Sequence, residues 1–75
     1  DLYLVPNPAE NKISIQSTLS IKKYQIFDIT GKFIVEKSNI DSPNFEIDIT
    51  ELPLGTYFIS LNADNSTKKI KFIKL

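Results

Sequence analysis

The side chains in this chain that could do chemistry are carboxylates and lysines. Asp28, Glu46, Asp48 and Glu51 offer carboxyl groups, and paired carboxyls are a common device for general acid–base work. Glu46 and Asp48, however, alternate with Phe45, Ile47 and Ile49. That is the pattern of a strand with one face in water, so the pair reads as a solvated face. A calcium site needs clustered oxygen ligands, and Asp41-Ser42 and Asp64-Asn65 match no calcium-loop signature. Asn65-Ser66-Thr67 fits the N-glycosylation pattern, but Asn and Ser are also what a turn selects. Tyr3, Tyr24 and Tyr57 could form a sugar-stacking platform, yet Tyr57 is in register with Ile59 and Leu61 and reads as core. Its hydroxyl would then seek a backbone partner, as in the tyrosine corner of a sandwich.

What is missing excludes more. The chain has no histidine, cysteine, arginine, tryptophan or methionine. It therefore lacks the usual neutral-pH general base, the commonest metal ligand and the guanidinium fork that grips phosphate. Serine–histidine and cysteine–histidine nucleophiles are excluded. With 9 lysines against 9 acids the net charge is zero, where a nucleic-acid binder would show a basic excess. No apolar run approaches the roughly 18 residues of a membrane span. No cofactor is implied.

The lysines are the most unusual group. Lys68, Lys69, Lys71 and Lys74 fall in a closing stretch without an acid. They could guard an edge strand against aggregation. They could also pair weakly across a sheet with Asp41, Glu46, Asp48 and Glu51, which flank or occupy the fifth strand. A third reading makes an exposed, basic, terminal strand a recognition handle, gripped by strand addition.

The elements that would position these groups are strands. Isoleucine occurs 12 times and alanine twice, a bias that favours sheet over helix. Period-2 alternation predicts strands over residues 2–5, 12–17, 21–28, 32–37, 45–49, 56–61 and 67–74. Ile13, Ile15, Tyr24, Ile26, Ile47, Ile49, Ile59, Ile70 and Phe72 should face inward. Phe33 and Val35 should share a face. Residues 38–44, with Pro43, read as a loop. Gly31 should supply a positive φ. Pro6-Asn7-Pro8 fixes two φ angles, removes two donors and pushes Asn7 toward an extended conformation. It reads as a stiff connector carrying the chain from one sheet or edge to the next. Seven short strands at this spacing predict an all-β, antiparallel, immunoglobulin-like sandwich, with a small barrel as the other architecture. Seventy-five residues make one domain of modest stability. A first residue that is not methionine, inside a strand-like pattern, suggests a domain cut from a longer protein.

Four blocks, in order, carry a resemblance. They are Val5-Pro6-Asn7-Pro8-Ala9, Ile26-Phe27-Asp28-Ile29-Thr30-Gly31-Lys32, Leu52-Pro53-Leu54-Gly55-Thr56-Tyr57 and Lys69-Ile70-Lys71-Phe72-Ile73-Lys74-Leu75. Together they resemble the C-terminal sorting domain of type IX (Por) secretion substrates from Bacteroidetes. Val5 stands where that family usually has tyrosine, and Leu75 follows a lysine at which many members end. The resemblance implies that residues 1–75 are one sorting domain of a larger secreted protein. Such a domain directs its parent through the periplasm and the outer-membrane translocon to the cell surface or beyond. A surface sortase-like peptidase then removes it. It implies a non-catalytic address, read through Lys71, Phe72, Ile73, Lys74 and Leu75. It gives Pro6, Asn7, Pro8, Asp28, Gly31, Lys32, Leu52, Gly55 and Tyr57 a mainly structural part. A structural or adhesive spacer module of a surface protein is the competing reading, since one fold hosts many functions.

Overall fold

The computed structural model describes residues 2–75, and residue 1 lies outside them. Seven strands run through the described residues: β1 Leu2–Val5, β2 Lys12–Ile21, β3 Lys23–Asp28, β4 Phe33–Lys37, β5 Ser42–Asp48, β6 Gly55–Asn62 and β7 Thr67–Lys74. They form two antiparallel sheets, one ordered β1-β2-β5 and the other β4-β3-β6-β7. No helix among these residues is long and apolar enough to cross a membrane.

Alternation places the core. Ile13 and Ile15 on β2, Ile26 on β3, Ile59 and Leu61 on β6 and Phe72 on β7 are all but excluded from water. Ile47 and Ile49 join them from β5 and its end, and Tyr24 and Tyr57 are buried beside them. Tyr24 stacks on the half-buried Phe45 across the two sheets. Burying Tyr24 and Tyr57 while Tyr3 stays exposed removes the sugar-stacking platform.

Three elements differ from the sequence reading. β2 continues past Ser17 to Ile21, a residue the sequence placed in the third strand, which begins instead at Lys23, and the register of β2 against β5 shifts on the way. β5 starts at Ser42 and takes in Pro43, which the sequence placed in a loop. β5 lies at the edge of its sheet, the place where a residue without an N–H is tolerated. Phe33 and Val35 do not share a face. Val35 stands opposite the buried Ile26, whereas Phe33 stands opposite Phe27 on the outer face. A bulge between those pairs adds a residue to β4 and breaks its alternation.

The charges are also arranged otherwise than expected. β5 and β7 belong to different sheets, so their acids and lysines do not face each other as cross-strand pairs. Glu46 pairs instead with Lys12 of the neighbouring β2, at 3.3 Å between exposed side chains.

Candidate functional site

β7 forms one edge of the four-stranded sheet, and its far edge is not open at the C-terminal end. The connector closes it. Asn7 Nδ2 donates to the Lys71 carbonyl at 3.2 Å, and the Ile73 N–H donates to Asn7 Oδ1 at 3.0 Å. The Ala9 N–H donates to the Ile73 carbonyl at 2.8 Å, and the Leu75 N–H donates to the Ala9 carbonyl at 2.7 Å. Ala9 thereby makes a parallel bridge with Lys74 and is buried.

The local sequence explains why a side chain takes part. Pro6 and Pro8 have no N–H, so the connector is short of backbone donors. An amide side chain between them supplies a donor and an acceptor at one position. Both flanking bonds, Val5–Pro6 and Asn7–Pro8, are cis. The sequence reading took Asn7 as a conformational element only. The signal for its second part was the prolines on either side of it.

These contacts change what the last strand can present. In a regular strand the N–H and C=O of one residue point the same way, and neighbours alternate. Residues 71, 73 and 75 turn toward the connector, so strand addition along that stretch would have to displace it. Side chains are what remains free. Lys71 and Leu75 are exposed, Ile73 is 40% exposed, and Lys74 is half-buried with its Nζ donating to the Leu75 carbonyl. Phe72 points inward, fully buried, with its ring 5.6 Å from that of Tyr57. Within the stretch expected to be recognised, Phe72 anchors the strand and its neighbours carry the exposed groups.

The motif residues outside the connector and β7 include several that fix bends. Asp28 Oδ1 accepts from the Thr30 N–H at 2.9 Å, the Thr30 hydroxyl at 2.6 Å and the Lys32 N–H at 2.9 Å. Gly31 closes that turn at φ +90°, a conformation side chains resist. Leu52 packs against the core, and its N–H donates to the Ile49 carbonyl. Tyr57 donates its hydroxyl to the Pro53 carbonyl at 2.6 Å, spanning the bend that leads into β6.

The Thr30 hydroxyl, followed by the Lys32 N–H, holds the Asp28 carboxyl below the ordinary aspartate value of 3.8. Thr50 does the same for Asp48, and Lys22 and Ser20 for Asp41. A depressed folded-state pKa contributes stability that is present above the unfolded value and lost as pH falls through the folded one. The melting temperature is therefore expected to fall as pH drops below about 4. For Asp28→Asn, thermal melts should show a lower melting temperature at pH 7 and a shallower decline in acid. Parallel curves for the two proteins would remove Asp28 from this account.

The fold has a relative among solved structures. PorZ of Porphyromonas gingivalis, described as an essential bacterial surface component of the type IX secretion system, superposes with a TM-score of 0.70 at 17% identity. The match covers 99% of this chain and 11% of that one, so it speaks to the fold alone. No curated protein sequence matches the chain. The model of the secretion system C-terminal sorting domain matches residues 3–75, from the first strand through the connector that locks β7 to Leu75. That span takes in all four sequence blocks, and the chain belongs to the secretion system C-terminal sorting domain family.

Proposed function

We propose that this domain is a non-catalytic export address of the type IX system. It directs the protein attached at its N-terminal side through the periplasm and the outer-membrane translocon to the cell surface or the medium. A surface sortase-like peptidase then removes it. Family membership over residues 3–75 carries this reading. Residues 1–75 act as one unit, with the machinery contacting Lys71, Ile73, Lys74 and Leu75 while Phe72 holds their strand in place. Pro6, Asn7 and Pro8 support that end of the strand. Asp28, Gly31, Lys32, Leu52, Gly55 and Tyr57 support the bends.

The strand order supports an immunoglobulin-like sandwich. Relative to the constant-type arrangement of four strands over three, the fourth strand sits here beside β3 instead of beside β5.

Export of a reporter fused ahead of the domain tests the reading. Charge reversal, Lys71→Glu with Lys74→Glu, is expected to cut export at least tenfold. Lys71 is exposed and the change there should alter stability by only about 0.5 kcal/mol, while Lys74 is half-buried, so a melting curve of the double variant is taken beside the export measurement to show that it is folded. Unchanged export by a folded double variant would remove these lysines from the address.

A further inference from the structure

The outer face of the four-stranded sheet carries a feature that the motif blocks do not account for. Register aligns Phe33, Phe27, Phe58 and Lys71 in one row across β4, β3, β6 and β7. The adjoining row holds Glu36, Gln25, Ser60 and Lys69. The first row is on the outside because its β6 member, Phe58, lies between the buried Tyr57 and Ile59. Phe33 is 52% exposed, Phe27 and Phe58 are half-buried, and the nearby Ile29 is 65% exposed. Phe27 and Phe33 meet edge to face at 6.0 Å, and the Lys69 ammonium lies 5.8 Å from the Phe27 ring centroid. Phe27, Ile29, Phe58 and Lys69 line one shallow depression.

We infer that this face is a docking surface for an acidic protein segment of the export machinery, seated on the phenylalanine row with its carboxylates on Lys69 and Lys71. The inference rests on the export reading above. Three aromatic rings in an uncovered row are what an interface core uses, where charge is scarce and aromatics are enriched. Lys69 and Lys71 make the β7 end of these rows positive, and Glu36 lies at the opposite, β4 end. β7 carries four lysines and no acid, and two of the four, Lys69 and Lys71, stand in these rows. The carboxylate in the adjoining row, Glu36, already accepts from Gln25 Nε2 and from the Ser38 hydroxyl. A second copy of this chain presenting the same face offers one carboxylate from these rows, Glu36, against two lysines, whereas an acidic segment can supply a carboxylate to each. An acidic partner meets two ammonium groups that no carboxylate pairs with among the described residues, both carried on a strand instead of a loop. The surface is separate from the edge that the connector closes, so docking there leaves Asn7 and Ala9 in place.

The test uses a reporter fused to the domain in a type IX-competent bacterium, with Lys69→Glu and Phe33→Ser made singly. Neither residue belongs to the terminal stretch from Lys71 to Leu75. Each variant is expected to reduce export at least tenfold while the purified fusion melts as before, and Lys69→Arg and Phe33→Tyr should export normally. If the unaltered fusion is exported and both disruptive variants are too, the docking surface is overturned and the address reading stands. Loss with only one of the two overturns the joint aromatic and basic surface. If the unaltered fusion is not exported, the address reading fails and this inference falls with it. Phe33 lies on an edge strand and Lys69 is exposed, so an unfolded product from either change would contradict the packing on which the inference is built.

Discussion

Replacing Phe72 with alanine is expected to cost about 3–5 kcal/mol, the range for removing a buried aromatic ring. Phe72 is fully buried and lies opposite Tyr57 in register, ring against ring. It is also the one residue of β7 that is fully inside, because Ile70 is only half-buried. β7 is an edge strand and has no second neighbour to compensate, apart from the connector. A domain of 75 residues has a total stability of about 4–11 kcal/mol. The variant should therefore sit near its folding threshold, with a melting temperature lowered by roughly 12–40 °C. Urea unfolding gives the direct measurement, and a loss under about 1 kcal/mol would show that the ring is not the anchor described here. Export of this variant would fail through unfolding. Phe72 therefore cannot serve as a probe of recognition, whereas the exposed Lys71 beside it can.

Much of the core was legible from alternation. Ile13 with Ile15, Tyr24 with Ile26, and Tyr57 with Ile59 and Leu61 each sit two apart, and all are buried. The Gly31 turn was legible because few other residues take its φ. The Tyr57 hydroxyl found its backbone carbonyl for the reason expected, a polar group on a buried ring. Sequence spacing was blind where a single residue shifts phase. The extra residue in β4 puts Phe33 on the outer face, and from spacing alone Phe33 and Val35 look equivalent. It was also blind to contacts across the length of the chain. Asn7 meets Lys71 and Ile73 over separations of 64 and 66 residues, which no local pattern encodes. The exposed phenylalanine row escaped for both reasons, since it needs the β4 phase and the order of four strands at once. The export function was legible only through the four ordered blocks. Strand chemistry explains why each block bends or pairs as it does, but it does not single out a secretion machinery.

The contact between the two ends of the chain sets the second large effect. Ala9 is 1% exposed, its N–H donates to Ile73 of β7 and its carbonyl accepts from Leu75 just beyond that strand. Leucine there must fit three more carbons into a closed space, at a cost of about 1–3 kcal/mol. The connector can relieve the clash only by lifting from β7, which would break its bonds to Ile73 and Leu75. Amide hydrogen exchange separates this from general loosening. In Ala9→Leu the Ile73 and Leu75 amides should lose protection, while those of Ile70 and Phe72, which face β6, exchange as before relative to global unfolding. Asn7→Ala should release the Ile73 amide alone, because Leu75 is held by the Ala9 carbonyl. If Ile73 and Leu75 exchange no faster in Ala9→Leu, the connector does not hold the strand. If they do, the proline–asparagine–proline run is more than a bend between strands. It keeps the C-terminal end of the last strand closed to edge pairing, so that the lysine and isoleucine side chains there, and not the backbone, are what a partner meets.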